Sequence, residues 1–109
     1  MELILDLQQK QKELDVSIKS LRTTGTAYAQ AEKDYKIALR TEALKLRSDG
    51  MAIGMITKII YGVPDVAELR FKRDVAETIN RANLEAINSI KLQIRIIDNQ
   101  ISREWGNTK

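Results

Sequence analysis

Six carboxylates lie near the predicted tip in sequence, between residues 42 and 77, and oxygen ligands of this type could hold Mg²⁺ or Ca²⁺. They are Glu42, Asp49, Asp65, Glu68, Asp74 and Glu77. Basic side chains alternate with them, among them Arg40 and Arg47. Cations and carboxylates at such helical spacing form ordinary solvated ion pairs. We therefore expect no metal site and no cofactor.

Residue types that carry most catalytic chemistry are missing. The 109 residues contain no His and no Cys, which excludes the commonest general base and every thiolate nucleophile or metal ligand. No arrangement of the remaining polar residues predicts an active site. We expect no catalytic residue and a protein that is not an enzyme.

Residues 56–70 have the pattern of a helix-turn-helix, with an apolar stretch, Gly62 and then a helix that begins with polar residues. Four basic residues would then contact nucleic acid: Lys58, Arg70, Lys72 and Arg73. Against this, Asp65 and Glu68 would lead the second helix and repel phosphate. The net charge is only +3 and is spread along the chain. A connector between two helices is the favoured interpretation, and nucleic-acid binding is the alternative.

Residues 3–47 are predicted to form one long helix. Twelve positions follow from Leu7 at alternating steps of four and three (7, 11, 14, 18, 21 and onward to 46), and eight of them are apolar, which is typical of a coiled-coil seam. The segment Thr23–Thr26 has low helix propensity, so either a continuous helix or a break could occur there. We predict continuity because the periodicity resumes in the same phase. Gly50 suits the left-handed position that follows a helix end.

Residues 51–61 predict a short apolar helix at the tip, and a second long helix is expected over about 65–105. The tip helix should cover the open end of the hairpin by packing on Leu44, Leu46, Val66 and Leu69. Pro64 prepares the entry to the second long helix. Asp65 and Glu68 are spaced as a capping box, with Asp65 as the N-cap.

Together these elements predict an all-α fold, a long antiparallel helical hairpin with a coiled-coil-like seam, in one domain spanning 1–109. Apolar residues extend beyond the single stripe that a helix pair buries. We therefore expect a homodimer that forms a helical bundle near the termini, with a monomer that folds back a third segment as the alternative. The residues expected at this contact are Leu7, Leu14, Ile18, Leu92, Ile94, Ile96, Ile101 and Trp105.

Residues 62–77 (GVPDVAELRFKRDVAE) and 91–105 (KLQIRIIDNQISREW) resemble a family of small, uncharacterised early-region proteins of temperate phages and prophages of Gram-positive bacteria. The segment Thr24–Ala29 also fits this family. The resemblance implies a role in the cytoplasm of the bacterial host, supporting phage replication or countering host systems. It supplies no functional residue.

A non-catalytic protein–protein interaction module is the leading functional hypothesis, with a replication, recombination or host-defence protein as its partner. A nucleic-acid-binding accessory protein that uses the basic tip is the second hypothesis, and a structural or scaffolding coiled-coil protein is the third. No apolar run approaches the roughly 20 residues that span a bilayer, and the first residues do not match a signal peptide. We expect a cytoplasmic protein without a membrane partner.

Overall fold

The structure, a computed structural model, describes residues 2–107, and all regular secondary structure assigned within them is helical. Helix α1 spans Glu2–Ser48, α2 spans Ile53–Ile59, a one-turn 3-10 helix spans Ile60–Gly62, and α3 spans Pro64–Asn107. The all-α class and the three predicted helices are confirmed. Helix α1 passes through Thr23–Thr26 without a break, as predicted.

The end of α1 is set by Gly50, which has a φ of 94°. Its N–H donates to the carbonyl oxygen of Arg47 at 3.0 Å, and the N–H of Met51 donates to that of Leu46 at 3.1 Å. These two bonds form the Schellman motif, which satisfies the last carbonyls of a helix and requires a left-handed residue. The predicted role of Gly50 is confirmed.

The residue that caps the start of α3 is not the predicted one. Val63 has extended backbone angles (φ −64°, ψ 128°), and its carbonyl oxygen accepts from the N–H of Ala67 at 2.8 Å. Val63 is therefore the N-cap and Pro64 the first helical residue, where its missing N–H costs nothing. Asp65 lies two positions after the N-cap, so the predicted N-cap is wrong. Its carboxylate still favours the positive end of the helix dipole.

Contacts group the chain into two compact units. In the terminal unit, residues 2–23 of α1 lie antiparallel to residues 80–107 of α3. The side-chain amide of Asn83 donates to the carbonyl oxygen of Ser17 at 3.1 Å. The buried and half-buried positions recur at steps of three and four along each helix. They are Leu3, Leu7, Lys10, Leu14, Ser17 and Leu21 on α1, and Asn80, Asn83, Ile87, Ile90, Ile94, Ile97 and Ile101 on α3.

The α1 seam is shifted by one residue from the predicted one at every second position. Lys10 and Ser17 are half-buried, whereas Gln11 and Ile18 are exposed. Lys10 pairs with Glu13 at 3.1 Å, so its aliphatic stem can lie along the seam while its charge is met locally. The prediction failed at these two positions because it kept a fixed order of steps from Leu7, whereas the buried positions follow steps of three and then four.

The tip unit, Thr24–Ile79, contains four of the buried hydrophobic residues of the described chain. These are Tyr35 of α1, Ile56 of α2, Ile60 of the 3-10 helix and Val66 of α3. We call α2 and the 3-10 helix, residues 53–62, the tip segment. Ile56 and Ile60 are four residues apart and therefore share one side of it. Val66 is buried as expected, but Leu44 is 61% exposed, so its predicted packing against the tip helix is wrong.

Candidate interaction surfaces

Arg73 is the centre of a polar cluster in the tip unit. Its guanidinium carbon lies 4.5 Å from the ring centroid of Tyr35, within the range of a cation–π contact. One terminal nitrogen is 2.8 Å from the carboxylate of Asp74, and Nε is 3.8 Å from that of Glu32. Lys36 also approaches Glu32, at 3.5 Å. The cluster links α1 to α3 through a side chain that is only 21% exposed.

The neighbouring charges of this cluster favour the cationic form of Arg73. The hydrogen bond to Asp74 raises the pKa of Arg73 above its usual value, while partial desolvation opposes the shift. Arg73, one of the four residues of the predicted nucleic-acid set, is thus engaged within the tip unit. Arg70 lies over the ring of Tyr61 at 5.0 Å, and Lys58 and Lys72 are exposed.

A shallow groove of about 290 Å³ lies between α1 and α3 in the tip unit. Its lining combines apolar walls with carboxylates and consists of Asp34, Ile37, Ala38, Thr41, Glu42, Asp65, Val66 and Leu69. Gln30 donates to Asp34 at 2.8 Å. Within residues 2–107, no group of three or more metal-ligating side chains is arranged to hold an ion.

The tip segment has several large apolar side chains that are exposed to solvent. Ile53 is 63% exposed and Met55 is 50% exposed, and Tyr61 is 47% exposed. Helix α2 has one charged residue, Lys58. An exposed apolar group of this kind is typical of a protein contact surface.

The eight residues predicted for a dimer contact fall into two groups. Leu7, Leu14, Ile94 and Ile101 are half-buried positions of the α1 and α3 seams. Ile18, Leu92, Ile96 and Trp105 are exposed. The residues of the first group pack within the chain, so only those of the second group have exposed surface that a partner could contact.

Exposed apolar side chains also lie on α3 in each unit, Phe71 and Val75 in the tip unit and Leu92 and Ile96 in the terminal unit, and sequence reasoning found only the second pair. Phe71 is 63% exposed and Val75 is 41% exposed, and Leu92 and Ile96 are 53% and 49% exposed. Sequence reasoning assigned Phe71 and Val75 to no surface, because it followed only the seam positions of this half of α3. Their four-residue spacing, offset from the seam at Leu69 and Arg73, was the available signal.

No known protein family, curated protein or solved structure matches this chain. The resemblance to phage proteins therefore stays a prediction. Within residues 2–107, no helix combines the length and apolar content that crossing a membrane demands. The geometry itself offers open apolar faces, a shallow acidic groove and a fixed interhelical arginine, which are features of recognition surfaces.

Proposed function

We propose that this protein is a non-catalytic helical interaction module that associates with itself and with a replication, recombination or host-defence protein in a phage-infected or lysogenic bacterial cell. The proposal follows from where the apolar side chains lie. The cellular setting follows from the resemblance of residues 62–77 and 91–105 to early phage proteins, and it is tested by the partner's identity.

The observation that carries the proposal is the imbalance between buried and exposed apolar residues. Among the described residues, five hydrophobic side chains are buried, namely Tyr35, Ile56, Ile60, Val66 and Ile87. Seventeen large hydrophobic side chains are exposed over the same part of the chain. Single exposed apolar residues are ordinary, but several that share one face of an element mark a site of association.

The tip segment is the surface that supports binding of a different protein. Ile53, Met55 and Tyr61 are exposed there, and Lys58 and Arg70 supply charge beside them. Aromatic, Met and Arg side chains are enriched in protein interfaces because they bury much area and retain a polar function. Arg70 is already held over the Tyr61 ring, so part of this surface is ordered before a partner arrives.

Affinity capture from the lysate of a phage-infected host tests the proposal. The bait is the full chain, compared with a tip variant that combines Ile53→Asp and Met55→Asp. Val16→Asp serves as the matched control, because Val16 is 64% exposed and lies outside the tip unit. We expect one replication, recombination or defence protein to be captured by the wild type and the control and lost from the tip variant.

Two outcomes oppose the proposal. If no protein is captured above the level seen with an unrelated bait, the chain has no such partner. If the tip variant captures the partner as well as the wild type does, the tip is not the binding site. Circular dichroism of each bait shows that helicity is retained, so loss of capture is not loss of fold.

A further inference from the structure

Within the terminal unit, one exposed side of α3 has a symmetric order of residue types, and we call it the terminal face. It consists of six exposed positions at alternating steps of four and three, namely Glu85, Ser89, Leu92, Ile96, Asn99 and Arg103. A helix that packs along a second helix needs this spacing. The two apolar side chains, each about half exposed, occupy the centre of the face. A polar side chain lies on either side of them, and opposite charges occupy the two ends.

This order is self-complementary under a two-fold axis. A symmetric dimer requires that each surface residue i contact residue j of the other copy while j contacts i. If two terminal faces meet antiparallel, with the axis level with Ile94, like types face each other and opposite charges pair. The facing pairs are Leu92 with Ile96, Ser89 with Asn99, and Glu85 with Arg103. Symmetry forms each of these pairs twice.

The charges at the ends of the face select the antiparallel orientation. Within residues 2–107, no ion pair of the chain includes Glu85 or Arg103, so both charges are available to a second copy. A parallel pair would set Glu85 beside Glu85 and Arg103 beside Arg103, with repulsion at both ends. Charges that border a helix contact set partner orientation in coiled coils by this means.

The surface of this face has room for a second helix. A shallow depression is lined by Ile96, Asn99, Ser102 and Arg103, and three of these residues belong to the terminal face. Helices pack by placing side chains of one in the spaces between side chains of the other. In the antiparallel register the half of the second copy that meets this depression carries its glutamate, so an acid approaches the guanidinium at its edge.

Arg95 is the one charge that opposes this pairing. It borders the terminal face one residue from the axis, so the two copies of Arg95 approach each other. Asp98 follows three residues later on the same helix, a spacing at which opposite charges attract, and it offsets part of the repulsion. Because Arg95 meets its own copy only when the axis is level with Ile94, the repulsion identifies the register.

We infer that the terminal face of α3 is the docking surface for a second copy of this chain, antiparallel, with Leu92 of each copy packed on Ile96 of the other and Glu85 paired with Arg103. The inference rests on the proposed function, because it names the surface and the partner for self-association. It uses residues of the terminal unit alone, so the tip segment stays available to a different protein.

Disulfide trapping tests the register directly, because the chain has no cysteine of its own. Two variants are made, Ser89→Cys and Asn99→Cys, which leave the apolar centre and the end charges in place. In the antiparallel dimer the two copies of position 89 are 10 residues apart along the helix axis, or about 15 Å. A disulfide requires Cα atoms within about 7 Å. We expect a cross-link when the two variants are mixed and oxidised, and none from either variant alone.

Charge reversal with rescue tests the end pairs, with light scattering over a concentration series as the measurement. We expect the wild type to reach twice the chain mass of 12.4 kDa. Glu85→Arg and Arg103→Glu should each weaken the dimer by about five- to tenfold, since each replaces two exposed ion pairs with repulsion. The double variant should return to within about twofold of the wild type, because the pairs form again with their signs exchanged. Lys12→Glu, an exposed charge reversal on α1, is the control and should leave the affinity unchanged.

Two further variants test the centre and the axis of the dimer. Leu92→Glu should have the mass of one chain, whereas Val16→Glu, which places the same charge at an exposed position of α1, should remain a dimer. Arg95→Gln should strengthen the dimer by about two- to fivefold, because it removes the repulsion between the two copies of this residue. Circular dichroism of every variant shows that its helicity is retained.

Each outcome decides the inference. Cross-linking of Ser89→Cys with itself shows a parallel pair and overturns it. A dimeric mass without the mixed cross-link, a double variant that stays as weak as the single ones, or a weaker dimer for Arg95→Gln shows another surface or register. Any of these three overturns the inference, while self-association under the proposed function survives. A monomer at the highest concentration overturns it too, and capture of a protein through the tip then decides the proposed function separately.

Discussion

The side-chain amide of Asn83 donates a hydrogen bond of 3.1 Å to the backbone carbonyl oxygen of Ser17 on the facing helix. Both residues occupy seam positions that an apolar pattern would assign to Leu or Ile. A polar residue at such a position fixes the register of two helices, because any slip leaves its amide in an apolar seam without a partner. We infer that this bond fixes the register of α1 and α3 in the terminal unit.

Replacing the amide donor should therefore destabilise the terminal unit. Asn83→Asp puts a carboxylate against the Ser17 carbonyl oxygen and removes the donor, so we expect a loss of about 1–3 kcal/mol in the free energy of unfolding. Urea denaturation followed by circular dichroism measures it. Asn88→Asp, an exposed position of the same helix, should change stability by less than about 0.5 kcal/mol. Equal effects at the two positions would show that the Ser17 contact contributes nothing.

Arg73 should be important for the stability of the tip unit. Arg73→Ala removes the contact with the Tyr35 ring and leaves Glu32 without that cation. We expect a loss of about 1–3 kcal/mol, which combines the cation–π and ion-pair contributions. Lys72→Ala, at the adjacent exposed position, should stay within about 0.5 kcal/mol. Arg73→Lys should recover only part of the loss, because an ammonium lacks the planar group that stacks on the ring. Full recovery by Lys would contradict the stacking.

Gly50 and Gly54 should respond to alanine in opposite directions. Gly50 has a φ of 94°, a conformation that costs an L-residue about 1–2 kcal/mol, so Gly50→Ala should lower the melting temperature. Gly54 is inside α2, and a Cβ added there meets nothing within 4 Å. Gly54→Ala should raise stability by up to about 1 kcal/mol. Differential scanning calorimetry of both variants provides the comparison, and a shift of the same sign in both would contradict it.

Val66 should be the most sensitive valine of the chain. It is 1% exposed, and truncation to alanine removes two methyl groups from the tip-unit core. At about 0.8 kcal/mol per buried carbon plus a cavity term, Val66→Ala should cost about 2 kcal/mol. Val16→Ala, at a position that is 64% exposed, should be nearly neutral. Chemical denaturation of both variants tests this, and equal losses would mean that burial at position 66 is not what stabilises the tip.

Local signals in the sequence were enough to place the helices. Gly50 ends α1 and Pro64 begins α3 because each restricts its own backbone angles, whatever the rest of the chain does. The weak segment Thr23–Thr26 stays helical, because four residues of low propensity cost less than breaking a long helix and the seam continues on both sides. These effects act within one or two turns and are therefore readable from the sequence.

Only the tertiary structure decided which residues line the seams and which remain exposed. Asn83 and Ser17 occupy seam positions because the Asn83 amide donates to the Ser17 carbonyl oxygen, and Arg73 is accommodated by the Tyr35 ring. Asn83 and Ser17 are 66 residues apart in the chain, and Arg73 and Tyr35 lie on different helices, so no local pattern reveals these partners. Once these polar residues are placed, Phe71, Val75, Leu92 and Ile96 are left on the outer side of α3. Their exposure follows from contacts between helices that composition and periodicity do not reveal.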